Sequence, residues 1–335
     1  MRAGHRRRSN CFNTPLVRDV RVGAAQFEHR DGDKAHNLAR IDDLAGRAVR
    51  QGAEIVSFHE CSVTGYTFLR RLDRGPLARL AEPVPDGPST AALIETARRH
   101  GVVIMAGLIE AEGDRFYKTY VTVGPEGFIT RFRKLHPFIN RHIVPGEAHH
   151  VTELRGVRAG FLVCYDCNLP ENVRITTLMG AEVIFAPHVT GGTPSEMPGR
   201  GPIEPALWER RDQDPEALRR EFDGPKGRSW LMRWLPARAW ENGVYIVFSN
   251  AVGYDDGTIK PGLAMVLDPF GEVQAESRAL GDDVVVTELK AEKLERAPGR
   301  RYLRARRPEL YAKLVEPRPA GHAAVTEPGW KVDPA

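Results

Sequence analysis

The chain has 335 residues and carries 48 lysines and arginines against 44 aspartates and glutamates, a mildly basic balance that does not by itself indicate a nucleic-acid partner. Its 4 cysteines are too few for a disulfide framework in a chain of this length and favour a reducing compartment, the cytoplasm. The longest apolar run, Val102 to Ile109, is much shorter than the roughly 18 residues of a membrane helix, so we expect no membrane partner.

The two ends of the chain differ in composition from its middle. Residues 1–18 are basic and lack the apolar stretch of a secretory signal, which predicts a flexible arm, with an Arg-rich transit peptide as the less favoured alternative. Residues 317–335 are rich in Pro, Gly and Ala and are expected to be extended or disordered. Between them we expect a single domain over 19–316, with an insertion at about 191–228 that could act as a lid or as a subunit contact.

Strand-like and helical patterns alternate along this middle part. A strand is predicted from Val20 to Phe27, and the apolar stripe of Leu38, Ile41 and Leu44 predicts a helix from Lys34 to Arg50. Further strands are predicted at 54–58, 102–109, 117–123, 128–132, 159–163, 182–186, 244–250, 263–267 and 284–289, with a turn at 124–127. Further helices are predicted at 89–100, capped by Ser89, at 170–179, and in a segment that ends near residue 242. This alternation is typical of a layered α/β domain.

Cys164 stands where an apolar strand-like run, residues 159–163, meets a polar segment. Pro170 and Glu171 suit the first turn of the helix that follows. Because the first turn of a helix offers free backbone N–H groups and a positive dipole end, we expect Cys164 to be a nucleophile with thiolate character. The alternative is a small buried hydrophobic residue at a strand end.

A carboxylate and a lysine occupy similar positions earlier in the chain. Glu60 follows the strand-like run 54–58, and Lys134 follows the run 128–132. A carboxylate can take the proton of a thiol, and an ammonium group can stabilise negative charge that develops on a substrate. Taken singly, a capping Glu60 and a surface Lys134 would be the simpler interpretations.

Three segments together resemble the signatures of the nitrilase superfamily of carbon–nitrogen hydrolases, which typically read F-P-E-x-x-x-T-G-Y, R-K-x-H and C-Y-D-x-R-F-P-E. The corresponding segments here are Phe58-His59-Glu60-Cys61-Ser62-Val63-Thr64-Gly65-Tyr66, Arg133-Lys134-Leu135-His136 and Cys164-Tyr165-Asp166-Cys167-Asn168-Leu169-Pro170-Glu171. The resemblance extends from about Val20 to about Leu289. It implies the four-layer α-β-β-α sandwich of that superfamily.

The resemblance also implies a mechanism without metal or cofactor. Glu60 would be the general base, Cys164 the nucleophile, and Lys134 with the backbone N–H of Tyr165 would stabilise the tetrahedral intermediate. The product of the first step would be a thioester, hydrolysed by a water that Glu60 activates. Acyl transfer to an amine and a non-catalytic binding protein are alternatives from other classes.

The chain departs from the family pattern at two positions. Many members carry a second glutamate where this chain has Ile139 or Asn140, and Glu147 lies on the wrong side of the Pro-Gly turn. Either His136, His142 or another group takes over its positioning role, or the chemistry is altered. Members that act on carboxylate-bearing N-carbamoyl compounds commonly have an arginine where this chain has Asn168, so a substrate carboxylate is less expected at that spot.

The sequence after the cysteine favours one substrate class. Tyr165-Asp166 resembles the amidase branches more than the nitrilases, so we expect a small-molecule amide substrate, with nitriles and N-carbamoyl amides as alternatives. Candidates for substrate contact are Tyr66, His136, Asn168, His188 and Thr190. For His188 and Thr190 a purely structural role on the next loop is an equal alternative.

Two other interpretations carry less weight. Cys164 and Cys167 match half of a zinc or redox motif, but Cys11 and Cys61 are isolated and supply no second pair. The arginine-rich run at 296–307 is interleaved with Leu303 and suits a solvated or dimer-facing segment better than a nucleic-acid contact. The resemblance implies a homodimer or a larger homo-oligomer built through the outer helices.

Overall fold

A computed structural model describes residues 18–317 of the chain. The predicted arm at 1–18 and tail at 317–335 lie outside these residues, apart from Arg18 and Pro317. The strands are β1 (Val20–Gln26), β2 (Ile55–Ser57), β3 (Val103–Glu112), β4 (Arg115–Gly124), β5 (Gly127–Arg133), β6 (Val151–Leu154), β7 (Val157–Phe161), β8 (Val183–His188), β9 (Tyr245–Asn250), β10 (Val252–Asp255), β11 (Thr258–Pro261), β12 (Met265–Leu267), β13 (Val273–Glu276) and β14 (Asp283–Leu289).

The α-helices lie on the outside of the strands. They are α1 (Lys34–Arg50), α2 (Arg74–Leu80), α3 (Pro88–His100), α4 (Tyr165–Asn168), α5 (Pro170–Leu178), α6 (Pro205–Glu209), α7 (Pro215–Asp223), α8 (Arg228–Leu231), α9 (Leu235–Asn242), α10 (Ala291–Arg296) and α11 (Pro298–Arg304). Short 3-10 turns occupy Thr67–Arg71, Pro308–Leu310 and Ala312–Val315. Within residues 18–317, no helix combines the length and the apolar content needed to span a bilayer.

Two six-stranded sheets form the centre of the molecule, in the orders β14-β1-β2-β3-β4-β5 and β13-β12-β9-β8-β7-β6. The central strands β1, β2 and β3 are parallel in the first sheet, as are β7, β8 and β9 in the second. Side chains of both sheets share one core, which includes Val22, Tyr120, Phe161, Phe185 and Val247. The expected α-β-β-α sandwich is therefore confirmed.

The outer faces of the sheets are covered by helices. Ile41 and Leu44 of α1 and Leu93 of α3 pack on the first sheet, and Val173 of α5 and Ala239 of α9 pack on the second. Because the central strands are buried on both faces, they are continuous apolar runs. This explains why the predicted strands lie close to the observed ones.

The prediction of a cap at Ser89 is wrong. Helix α3 begins at Pro88 after Gly87, because proline suits the first helical position, where no N–H is needed. Ser89 lies inside the first turn, and both its N–H and its hydroxyl donate to the Glu82 carboxylate, each at 2.8 Å. Four short strands, β6, β10, β11 and β13, were not predicted, since segments of four residues carry little periodicity.

The segment predicted as an insertion, 191–228, contains α6 and α7 and packs on the β10–β11 hairpin. Ile203, Trp208 and Phe222 share a small apolar cluster with Val252 and Ile259. This part of the segment is therefore a folded cover over the hairpin.

A β-bulge sets the pairing of β4 with β5. Gly124 faces Gly127 and Val123 faces Phe128, but the register shifts between Thr122 and Val123. Beyond the bulge, Thr119 faces Arg133. The next pair along the chain is Lys118 and Lys134, and the Lys134 N–H donates to the Lys118 carbonyl oxygen at 2.9 Å.

Hydrogen bonds join the two sheets inside their shared core. The Ser249 hydroxyl of β9 lies 2.9 Å from both the carbonyl oxygen and the hydroxyl of Ser57 in β2. The Tyr120 hydroxyl of β4 donates to the Phe58 carbonyl oxygen at 2.8 Å. These bonds fix the end of β2, from which the site begins.

Candidate active site

Glu60 lies on a tight turn directly after β2. The next residue, Cys61, has a left-handed backbone with φ of 52°. The turn packs so closely on β3 that a Cβ atom at Gly107 would lie 2.3 Å from the Cys61 nitrogen, and only glycine fits there. The Glu60 side chain is thereby held in the interior, 1% exposed.

Lys134 emerges at the end of β5 and points at Glu60. Its Nζ donates to Glu60 Oε1 at 2.8 Å, and both side chains are buried. Burial alone would raise the pKa of Glu60, but Lys134 and Lys118 outweigh it and hold this pKa below its usual range. Glu60 is therefore a carboxylate, and its second oxygen, Oε2, is buried without a hydrogen-bond partner among residues 18–317.

Cys164 lies on a sharp bend between the end of the β7 segment and α4. Its backbone is left-handed, with φ of 54°, and its N–H donates to the Pro187 carbonyl oxygen at 2.8 Å. A non-glycine residue in this conformation costs about 1–3 kcal/mol and persists because the surrounding structure holds it. Helix α4 begins at the very next residue, Tyr165.

The expected thiolate character of Cys164 is corrected by the structure. Burial raises the pKa of the Cys164 thiol to about 11, and the opposing effect of Lys134 is smaller. The helical turn α4 is four residues long, so it offers little dipole against the loss of water around the sulfur. In the free protein Cys164 is therefore a neutral thiol, which needs a base.

Asp166 ties the lysine loop to the cysteine bend, a role that the sequence reasoning missed. Its carboxylate accepts from the N–H groups of Leu135 at 3.1 Å, His136 at 2.8 Å and Val163 at 3.2 Å. The His136 ring nitrogen Nδ1 lies 2.9 Å from the same carboxylate. Its place two residues after the cysteine in the signature was the available signal.

A second lysine lies in the same place and was also missed. Lys118 in β4 is 2% exposed, and its Nζ lies 3.6 Å from Glu60 Oε1. It donates to the Phe138 carbonyl oxygen at 2.9 Å and stands 4.2 Å from the centre of the Tyr66 ring. A lysine among the aromatic and β-branched residues of β4 was the available signal.

The positions of the absent second glutamate hold no carboxylate. Ile139 is buried with φ of 84°, and Asn140 donates to the carbonyl oxygens of Leu69 at 2.7 Å and Leu72 at 2.8 Å. Asn140 thus holds the 67–71 turn instead of reaching Lys134. The group that stands beside Glu60 and Lys134 in this region is the Lys118 ammonium.

The candidates for substrate contact lie in different surroundings. Tyr66 and His188 are buried near the charged groups, and the charge of Glu60 affects both of their pKa values. Burial lowers the pKa of His188 to about 4, its Nδ1 lies 2.8 Å from the Ala186 carbonyl oxygen, and its Nε2 has no partner within residues 18–317. His188 is therefore a neutral ring with one free nitrogen.

The other candidates are engaged in the surrounding structure. The Asn168 carbonyl oxygen accepts from Arg238 at 2.8 Å, and both backbone groups of Thr190 bond to the Asn250 side chain. The Tyr165 ring packs edge-on against Phe138.

Three other side chains could hold a metal ion. Ligand atoms of His29, Asp31 and Asp255 lie within 4.8 Å of one another. However, His29 Nε2 already lies 3.1 Å from Asp255 Oδ1, and Lys260 Nζ lies 3.8 Å from Asp255 Oδ2. Because an ammonium group faces the Asp255 carboxylate, its charge is matched by protein groups, and the set fits a structural ion cluster better than a metal site.

Comparison with known proteins identifies the family. Residues 21–298 match the model of the carbon–nitrogen hydrolase family. An (R)-stereoselective amidase from a Pseudomonas species is 32% identical, over 89% of this chain and 95% of its own length. A nitrilase from Pyrococcus abyssi is 29% identical, over 81% of this chain and 89% of its own.

Solved structures have the same fold. An amidase of the nitrilase superfamily from Nesterenkonia AN1 superposes with a TM-score of 0.66 at 23% identity. The superposition covers 90% of this chain and 100% of that amidase chain. The same amidase is known with the acetamide moiety of fluoroacetamide added covalently at the active site cysteine. The chain therefore belongs to the carbon–nitrogen hydrolase family, whose members act on carbon–nitrogen bonds other than peptide bonds, and the resemblance seen in its sequence is confirmed.

Proposed function

We propose that the protein hydrolyses a small amide through a thioester at Cys164, with Glu60 as general base and Lys134 as the cation that stabilises the intermediate. The observation that carries the proposal is the buried, unpartnered Oε2 of Glu60, beside a lysine whose Nζ is 2.8 Å from Oε1. A buried carboxylate oxygen without a donor is available to accept a proton. The thiol that supplies this proton is Cys164, whose pKa is affected by the charges of both Glu60 and Lys134.

The reaction then proceeds in two halves. Glu60 takes the thiol proton, Sγ bonds to the carbonyl carbon, and the carbonyl π electrons move to oxygen, where Lys134 and the Tyr165 N–H face the charge. Each such donor can contribute about 3 kcal/mol. Glu60 then protonates the leaving nitrogen, the carbon–nitrogen bond breaks, and a thioester remains. Water, deprotonated by Glu60, adds to the thioester, and the acid leaves as Cys164 regains its proton.

The test is ammonia release from a panel of primary amides, nitriles and N-carbamoyl compounds. We expect release from amides by the wild type and a loss of at least about a thousandfold in Cys164→Ala. Cys167→Ala is the matched control, because this thiol is also buried, lies three residues away and packs in the outer core of the second sheet. Activity that survives in Cys164→Ala would contradict the proposal.

Nitrile hydrolysis is the second candidate, favoured by the similarity to the Pyrococcus nitrilase. N-carbamoyl substrates and acyl transfer to an amine follow the same thioester chemistry. The panel separates these outcomes. Ammonia release from nitriles alone or from carbamoyl compounds alone would change the proposed substrate class, but not the roles proposed for Glu60, Lys134 and Cys164. Adding hydroxylamine to the amide reactions detects acyl transfer as a hydroxamate.

We also propose that the protein works in the cytoplasm as a homodimer or larger homo-oligomer. Three free thiols, Cys61, Cys164 and Cys167, suit a reducing compartment. Large apolar side chains are exposed on three neighbouring outer helices, namely Met179 directly after α5, Trp240 on α9 and Tyr302 on α11. Apolar surface grouped in this way is typical of a protein contact.

A further inference from the structure

The pair of Lys118 and Lys134 is unusual for a sheet. The two residues face each other across β4 and β5, joined by the hydrogen bond from the Lys134 N–H to the Lys118 carbonyl oxygen. The two residues are buried, 2% and 1% exposed. Like charges directly opposite each other destabilise a sheet, and buried charges cost more. Such a pair persists only when another group compensates for the repulsion.

Glu60 is that group. Its Oε1 lies 2.8 Å from Lys134 Nζ and 3.6 Å from Lys118 Nζ, so one carboxylate oxygen faces both ammonium groups. The arrangement leaves Oε2 without a partner among the described residues. Two cations therefore fix one oxygen of the carboxylate, and the other oxygen remains free for proton transfer.

Lys118 also contacts the loop that follows Lys134. It donates to the Phe138 carbonyl oxygen at 2.9 Å, while the Phe138 ring lies 4.9 Å from Lys134 Nζ. The Tyr66 ring covers Lys118 on another side, at 4.2 Å. Lys118 thus contacts both segments around the Glu60–Lys134 ion pair, namely the turn that carries Glu60 and the loop that follows Lys134.

We propose that Lys118 is a positioning residue of the active site, which shares the Glu60 carboxylate with Lys134, orients it and keeps it ionised as pH falls. This inference rests on the proposed function of Glu60 as general base. Lys118 need not touch the substrate to act in this way. Its effect on the reaction passes through Glu60.

The charged and titratable groups around Glu60 and Lys118 determine in which direction the loss of Lys118 moves the pH dependence of the reaction. Glu60 faces Lys134, Lys118 and the neutral His188, and Lys118 is affected in addition by Cys61 and Cys164. With one ammonium removed, burial acts on Glu60 against Lys134 alone, so protonation of the carboxylate moves to higher pH. A protonated Glu60 cannot accept the thiol proton. The acid limb of kcat/KM should therefore move upward.

The test is the pH profile of kcat/KM for an amide that the wild type turns over. In Lys118→Met, a neutral side chain of similar length, we expect the acid limb to move up by about one pH unit. Lys118→Arg keeps the charge and should return the limb toward the wild-type position. Lys34→Met is the control, because Lys34 also pairs with a buried carboxylate but the partner is Glu82 and not Glu60, so the acid limb of this variant should not move.

The outcomes separate this inference from the proposed function. An unmoved acid limb in folded Lys118→Met overturns it, even if activity falls, since a purely structural role would lower the rate at every pH alike. If Lys118→Met does not fold, Lys118→Gln is used in its place, because it keeps a donor for the Phe138 carbonyl oxygen without the charge, and the same shift is expected. The proposed function fails separately, through activity that survives in Cys164→Ala.

Discussion

Cys164 combines a strained backbone with a sulfur that is poorly ionised. Its left-handed φ of 54° places the thiol on the bend between sheet and helix, while burial raises its pKa to about 11. The sequence suggests that a cysteine at a helix start is a thiolate. Cys164 does stand at a helix start, but its raised pKa favours the neutral thiol. In the mechanism that we propose, the thiol loses its proton to Glu60 at the moment of attack, so its reactivity depends on this carboxylate.

This raised pKa predicts the pH dependence of alkylation. In Glu60→Gln, which removes the base, iodoacetamide should modify Cys164 slowly at pH 7 and faster as pH rises, because only the thiolate then reacts and burial raises the pKa of this thiol. Mass spectrometry of the Cys164 peptide measures the rate. Cys61 and Cys167, with pKa values raised to about 12 by burial, provide internal controls that should react more slowly still. A rate that is already constant below pH 8 would contradict the prediction.

At the scale of elements, the buried carboxylate of Asp255 links three loop segments by hydrogen bonds. Asp255, at the end of β10, accepts from the N–H of Thr67 at 2.9 Å and from its hydroxyl at 2.5 Å. It also lies 3.1 Å from His29, whose other ring nitrogen lies 3.1 Å from His59. The loop after β1, the turn at 67–71 and the residue next to Glu60 thus meet at one point.

We predict that Asp255→Asn lowers the free energy of unfolding by about 3 kcal/mol, because it leaves Lys260 buried without its carboxylate. Burial would raise the pKa of Asp255, but His29, Lys260 and Thr67 hold it well below its usual range. The stabilisation is therefore present above about pH 4, the pKa of an unfolded aspartate, and lost as pH falls further.

Urea unfolding at pH 7 and at successively lower pH measures this difference. Asp73→Asn is the control, because its ion pair with Arg141 joins two side chains that are each 81% exposed, and such pairs contribute little. We expect that variant to stay within about 0.5 kcal/mol of the wild type. Equal stability of Asp255→Asn and the wild type at pH 7 would refute the prediction.

The sequence predicts only part of the candidate site. Ordered motifs were sufficient to predict Glu60, Lys134 and Cys164 as a set, since each follows closely after a predicted strand. Lys118 could not be placed, because its partner depends on the bulge at Thr122 and Val123. Counting back from the Gly124–Gly127 turn without that bulge pairs Lys118 with Arg133, one residue short of Lys134. A shift of one residue places the facing side chain on the opposite face of the sheet.

At the scale of the whole molecule, we propose that the homo-oligomer forms through the exposed apolar side chains on the outer helices of the second sheet. Met179 is 49% exposed and Trp240 is 41% exposed, on adjoining helical segments. We predict that Trp240→Glu converts a homodimer into a single chain, because a buried unpaired carboxylate is costly at a contact. Light scattering coupled to size exclusion measures the mass.

Tyr254→Glu is the control for this substitution. Tyr254 is as exposed as Met179, at 49%, but it lies on the β10 hairpin, away from the outer helices of the second sheet. We expect it to keep the wild-type mass. A Trp240→Glu protein that keeps the wild-type mass as well would exclude this face as the contact.

The hydrogen bonds between Ser57 and Ser249 have a consequence for engineering the protein. Glu60 and Lys134 are carried by one sheet and Cys164 by the other, and these serines join the sheets directly beneath the Glu60 turn. These three side chains are therefore anchored in the interior, whereas segments such as 190–201 are not part of either sheet. Exchange of the 190–201 segment should accordingly leave Glu60, Lys134 and Cys164 in place, provided that both serines are kept.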